Sequence, residues 1–319
     1  MRAIPSPIRA EITLIGLSEF LGPPLPESFY CIGSYMPIDH LSLSTTPVVL
    51  LRGDEEVSQG TGFYYVGKVG DQQVIFLITN YHVLTGHAPL EGKAPIGDNV
   101  VFQFHKSAER PADLHHIRFP LFTKSGQPVW IQSNVVPEAD LAIIPIPVEA
   151  FKDCKLNCIS KEWMTSGNMK LRPTTAVTLI GYPYAYFDRA NALPIWKTGS
   201  LASEPDIDFD GKPLVTIDIS AFPGMSGAPA FAISYGIYET EDGSSSVGGA
   251  RRFVGIYASM QMLQERKVLE EFHGKRAHLG ITHAESLQTG HVWKARLIDE
   301  LVSSVNTSKW EKEIASNLP

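Results

Sequence analysis

The apolar residues of this chain come in short, β-branched runs, each cut off by Gly, Pro, Asn or Asp. Residues 47–51, 62–66, 74–78, 99–104, 141–146, 176–180 and the alternating stretch 214–220 are each five to seven residues long. Runs this short suit strands and are too brief for amphipathic helices. The 26 glycines and 23 prolines supply the turns that many short strands need. The pattern suits an all-β fold, and 319 residues are too many for one small domain. No apolar run approaches the length of a membrane-spanning helix.

One stretch carries chemistry: Phe222-Pro223-Gly224-Met225-Ser226-Gly227-Ala228-Pro229, directly after the alternating run at 214–220. A serine between glycines can sit on a tight turn with its hydroxyl exposed. The N–H groups of Gly224 and Ser226 could then point at one spot. A nucleophile and two donors for an oxyanion are the parts of an acyl-transfer site. The same string also suits a plain turn, because Gly and Ser are turn residues. A serine hydroxyl further requires a base, and the base an orienting carboxylate.

Of ten histidines, His82 has the telling context. It follows the run Val74-Ile75-Phe76-Leu77-Ile78 and the strand end Thr79-Asn80-Tyr81, so a buried strand would hold the ring rigidly at a cleft. The preferred carboxylate candidate is Asp140, which precedes Leu141-Ala142-Ile143-Ile144-Pro145-Ile146 and could otherwise be a surface or turn Asp. An Asp entering a core there requires a partner, and an imidazole N–H suits it. Asp113, in a polar stretch with His115 and His116, is the weaker candidate. His105, His115 and His116 lack a carboxylate or cysteine at metal-ligand spacing, and are read as solvent-facing loop residues.

Three blocks, Thr79-Asn80-Tyr81-His82-Val83, Ala139-Asp140-Leu141-Ala142 and Gly224-Met225-Ser226-Gly227-Ala228-Pro229, resemble the signature blocks of chymotrypsin-fold serine peptidases. They stand in the family order His, Asp, Ser, at separations of 58 and then 86 positions. Gly60-Thr61-Gly62-Phe63, Gly181-Tyr182-Pro183 and Phe253-Val254-Gly255-Ile256-Tyr257 resemble further family segments. The resemblance spans residues 45–305. It implies two antiparallel six-stranded β-barrels with the active site in the cleft between them, plus a C-terminal helix on the second barrel. It implies a catalytic set of His82, Asp140 and Ser226, an oxyanion hole from Gly224 and Ser226, and no metal or organic cofactor. The base of the primary specificity pocket would fall at Ser220, with Tyr257, Ala258 and Ser259 as one wall. Without an acid at Ser220, an uncharged residue before the scissile bond is expected, rather than Arg or Lys.

Departures from the animal digestive branch point to the bacterial, disulfide-free type without a C-terminal peptide-binding domain. Of the three cysteines, Cys31, Cys154 and Cys158, none flanks His82 or Ser226, and free thiols are expected. Met225 stands where zymogen-activated relatives carry an Asp that captures a newly cut N-terminus, so activation by that route is not expected.

The expected layout is a Pro-rich arm at 1–40, a first barrel at 41–150, a connection at 151–172, a second barrel with the C-terminal helix at 173–305, and a tail at 306–319. Helices are expected at 262–272 and 292–305, the second with Trp293, Leu297, Ile298 and Leu301 on one face. The acidic, Gly/Ser-rich stretch 239–249 reads as a mobile hairpin loop. A net charge of −7 without a long basic run disfavours nucleic acid. No secretion signal is read in the first 30 residues, which with few cysteines points to a cytoplasmic setting. The partners expected are a protein or peptide substrate and, in one alternative, a protein activator or effector of a latent or silent peptidase fold. An α/β-hydrolase is disfavoured, since Ala228 breaks the Gly-x-Ser-x-Gly spacing and strand–helix alternation is missing.

Overall fold

The computed structural model describes residues 38–269 and 279–305; at 185, 262–269 and 279–286 it describes the backbone alone. Most of the expected 1–40 arm, Cys31 and the 306–319 tail lie outside these residues.

The β-branched runs become the strands of a first antiparallel sheet: β1 (Thr45–Arg52), β2 (Glu55–Val69), β3 (Gln72–Thr79), β4 (Asn99–His105), β5 (Leu114–Pro120) and β6 (Ala142–Ile146). They lie in the order β5-β4-β1-β2-β3-β6. The edge strands β5 and β6 are joined by the intervening chain. Val129 N–H donates to Leu121 O just past β5, and Ile131 exchanges two backbone hydrogen bonds with Ile143 of β6. Short helices α1 (His40–Leu43) and α2 (Tyr81–Thr85) flank this sheet.

The second half is a closed barrel of β7 (Ala176–Gly181), β8 (Ile195–Leu201), β9 (Leu214–Asp218), β10 (Pro229–Glu239), β11 (Ser245–Leu269) and β12 (Leu279–Lys294), in the order β10-β11-β12-β9-β8-β7. Closure removes sheet edges that would otherwise pair with other chains. Helix α3 (Arg296–Ser303) ends the described chain. Two six-stranded antiparallel sheets and a C-terminal helix are the all-β architecture expected. Among the described residues no helix is long and apolar enough to cross a membrane.

Three apolar clusters hold the halves. Val48, Leu50, Leu77, Phe102, Phe104 and Phe119 fill the first sheet. Val177, Leu179, Val215, Ile217, Ala230 and Val292 fill the second. The third lies between them: Phe63, Phe76 and Ile78 pack with Ile180, Phe231, Phe253 and Ile256. Arg251 adds a bidentate ion pair to Asp39, with its two nitrogens 2.9 and 2.5 Å from the carboxylate oxygens.

Several local expectations are corrected. Residues 262–269 are not helical but belong to β11, paired from Met262–Ser286 to Leu269–Leu279; residues 270–272 lie outside the description. Their helix-forming side chains yield to a continuous antiparallel ladder, because tertiary pairing overrides weak propensity. The C-terminal helix is shorter than expected. Residues 292–294 continue β12, and Trp293 faces the inter-sheet core from a strand.

That helix also leans on the first half rather than only on the second. A Cβ at Gly67 of β2 would overlap Val302 of α3, so this glycine permits the close approach. An ion pair of 2.5 Å between Lys161 and Asp299 ties the helix to the connection between the sheets. In the acidic stretch, only 240–244 turns, with Thr240 N–H donating to Ser244 O, while 245–249 are ladder residues of β11. His105 and the pair His115–His116 sit on β4 and β5, not on loops. His105 is buried, with its Nδ1–H donating to Pro111 O.

Candidate active site

The site grows from three strand ends. β3 delivers Asn80 and then His82 on the first turn of α2, whose end is capped by Gly86 at φ +77 with its N–H on His82 O. β6 is preceded by Asp140. The two meet: His82 Nδ1 lies 2.5 Å from Asp140 Oδ2, and His82 N–H donates to Asp140 Oδ1 at 3.0 Å. Asn80 Nδ2 donates to the Asp140 main-chain carbonyl at 2.5 Å, so both ends of the aspartate are held. Since an ionised carboxylate only accepts, Nδ1 carries the proton and Nε2 is left as the free basic position. Asp113 is elsewhere, paired with Lys106 and Arg110.

The serine turn lies between β9 and β10. Met225 N–H donates to Phe222 O, and Gly224 has φ +93. With Pro at the second position and positive-φ Gly at the third, this is a type II β-turn. A side chain at Gly224 would stand 2.5 Å from Tyr182 O and 2.9 Å from Tyr184 N. Glycine is required there by the backbone angle and by the close neighbours alike. Pro223 O accepts a hydrogen bond from Tyr184 N–H at 2.7 Å. Across a trans peptide, the Gly224 N–H therefore faces the opposite way. Among the described residues neither Gly224 N–H nor Ser226 N–H has an acceptor. Unpaired donors in this partly buried turn are suited to an anion.

Ser226 sits against the first sheet. Thr61 N–H donates to Ser226 O at 2.8 Å. A Cβ at Gly60 would lie 3.1 Å from Ser226 O and 2.6 Å from Val83, the neighbour of His82. One glycine thus separates the serine turn from the histidine helix. The Ser226 hydroxyl itself donates to Ala258 O at 3.1 Å. Among the described residues it is not hydrogen-bonded to His82, so the structure pairs His82 with Asp140 but not with Ser226.

Of the expected specificity residues, Tyr257 and Ala258 are buried beside the turn, Tyr257 O accepting from Gly227 N–H and Tyr257 N–H donating to Ala228 O. Burial pushes the Tyr257 phenol up to about 12. Its ring lies close to Gly290 of β12, where a Cβ would be 2.5 Å away. Ser259 and Ser220 are exposed. Ser259 Oγ and His291 Nδ1 are 3.3 Å apart. Burial raises the thiols of Cys154 (to about 11) and Cys158, and both cysteines are free. Thr61 and the turn at Tyr182–Tyr184 are site residues that residue-type reasoning passed over. Their signal was present in Gly60-Thr61-Gly62 and Gly181-Tyr182-Pro183, but it marks backbone contacts that no side-chain chemistry announces.

The model of the family described as "Trypsin-like peptidase domain" matches residues 60–236. No curated protein matches the chain significantly. Among solved structures, the chain is similar to the Rv3671c protease in its inactive form, at 17% identity and a TM-score of 0.39, covering 82% of this chain and 88% of that one. It is similar to a serine endoprotease from Yersinia pestis, at 12% identity and a TM-score of 0.40, covering 88% and 69%. A thermostable serine protease, AL20, from an extremophilic microorganism gives 12% identity and a TM-score of 0.42, covering 84% and 100%.

Proposed function

We propose that this chain, which belongs to the family of trypsin-like peptidase domains, cleaves peptide bonds with Ser226 as nucleophile, His82 as base and Asp140 as the acid that orients it. Membership makes it a serine protease acting on proteins or peptides. The observation that carries the residue assignment is the double hydrogen bond between His82 and Asp140 at the edge of the serine turn.

In this reading the Ser226 hydroxyl turns from Ala258 O toward His82 Nε2, which takes its proton as Oγ attacks the substrate carbonyl. The N–H groups of Gly224 and Ser226 receive the oxyanion, each contributing on the order of 10²–10³ in rate. His82 then protonates the leaving amine, and water releases the acyl group from Ser226 by the same route. Asp140 stabilises the imidazolium without itself taking the proton. The residue before the scissile bond is uncharged in this reading, because Ser220 offers no carboxylate.

The hydroxyl's bond to Ala258 O favours one second reading: a latent enzyme whose serine is turned to the base by a protein partner. Fluorophosphonate labelling tests both. Label on Ser226 that disappears in Ser226→Ala, with turnover falling on the order of 10⁶-fold, supports the live enzyme. Label that appears only with an added partner supports the latent one. No label under either condition rejects Ser226 as nucleophile.

A further inference from the structure

We infer that Thr61 is a positioning residue for the oxyanion turn: its buried hydroxyl, supplied by the first sheet, sets the direction in which Gly224 N–H points. The inference rests on the reading of Ser226 as nucleophile.

Thr61 is fully buried on β2, opposite Pro47 of β1. The β2–β3 ladder stops at the pair Phe63–Ile78, so Thr61 has no strand partner on that side. It bonds to the site instead. Its N–H donates to Ser226 O at 2.8 Å, and its carbonyl accepts from Thr79 Oγ1 at 2.7 Å. Its hydroxyl donates to Gly224 O at 2.7 Å and accepts from Tyr182 N–H at 3.1 Å. A single side chain of the first sheet thus joins the serine turn to the segment that leaves β7.

The peptides on both sides of Gly224 are consequently held from outside the turn. The one before it is held by Tyr184 N–H on Pro223 O, and the one after it by Thr61 Oγ1 on Gly224 O. A type II turn differs from type I mainly by the flip of its central peptide. Here that peptide is Pro223–Gly224, and flipping it would swing the Gly224 N–H away from the side opposite Tyr184. The hydroxyl of Thr61 ties Tyr182, and through it the adjoining Tyr184, to the unflipped form. Removing the hydroxyl leaves Gly224 O and Tyr182 N–H without their partner in a buried place, a cost that favours a shift of the turn. The methyl groups of valine would fill the space and satisfy neither.

The test compares Thr61→Val, Thr61→Ala and Thr61→Ser with the parent full chain, using p-nitrophenyl butyrate turnover, fluorophosphonate labelling and the melting temperature. Thr61→Val is expected to lower kcat roughly 10- to 10³-fold, up to the worth of one oxyanion donor, with KM changed by no more than about twofold. Thr61→Ser restores kcat to within about threefold of the parent, because only the hydroxyl is required. Thr61→Ala shows the same loss as valine and serves where valine, with its extra unpaired contacts, does not fold. Valine and alanine variants that fold and turn over at the parental kcat overturn the inference while leaving the nucleophile in place. A serine variant as slow as valine overturns it too, since the methyl group would then be what matters. A parent that takes no label at Ser226 removes the nucleophile and the inference with it.

Discussion

Asp140 binds His82 twice, through the ring nitrogen at 2.5 Å and through the backbone N–H at 3.0 Å. The second bond matters as much as the first, because it fixes the carboxylate relative to the helix that carries the ring. With Asn80 on its main-chain carbonyl, the aspartate has little freedom to rotate.

Asp140→Asn tests that arrangement. The amide keeps the size of the side chain but can present an N–H to Nδ1, which favours the wrong tautomer. We expect kcat to fall on the order of 10⁴-fold with the fold intact, read by turnover together with circular dichroism. A loss below tenfold would show that Asp140 does not orient the base.

Gly227 is the tightest point between the serine turn and the first sheet. Its φ is +89, and a Cβ there would overlap Thr61 O. Gly227→Ala is expected to destabilise by at least about 3 kcal/mol, as backbone strain and a main-chain clash combine. Gly53→Ala is the control: its φ is +58 but the space around it is open. That change should cost only about 1 kcal/mol. Urea unfolding of both variants decides, and equal losses would mean that the contact with Thr61 is slack.

The ion pair between Asp39 and Arg251 makes stability depend on acid. Burial pushes the Asp39 carboxyl up, but hydrogen bonds from Arg251 and from the Leu41 N–H outweigh it, and the net result lies below the ordinary 3.8. A carboxyl lowered on folding stabilises fully above its unfolded value, about pH 4, and the gain is lost as pH falls through the native value. Asp39→Asn should therefore be less stable than the parent at pH 7. That difference should shrink as the pH falls from 4 toward 2. A difference constant across this range, measured by denaturant midpoints, would refute the linkage.

Specificity can be tested by gain of function. If Ser220 lies at the base of the pocket, Ser220→Asp places a carboxylate where a substrate Arg or Lys would end. A peptide library should then show preference moving from uncharged residues to Arg and Lys, by about tenfold or more. The exposure of Ser220 makes this the sharpest check on its place in the pocket. An unchanged profile would move the pocket base to another residue.

Much of the architecture could be read from residue patterns, and the failures have a common cause. Runs such as 74–78 and 141–146 became β3 and β6 because β-branched side chains buried on both faces have few other stable arrangements. Residues 262–269 differ from a local reading, since their helix-forming side chains stand on a ladder whose partner is a separate segment, 279–286, and local propensity does not register a distant partner. C-terminal helix packing also escaped pattern reading, because the approach of Val302 to Gly67 depends on a missing side chain 235 positions earlier.

Strand content, the order of His82, Asp140 and Ser226, and the glycines at 224 and 227 that let a turn bend tightly are legible in the residues alone. Those properties are local: they follow from side-chain shape, apolar spacing and backbone freedom within a few residues. Tertiary packing is what brings Asp140 onto His82 at two points, turns the Ser226 hydroxyl to Ala258 O, and lets Thr61 reach across to Gly224 and Tyr182. Each of these is a directional hydrogen bond between distant segments, and its geometry exists only after the two sheets have packed.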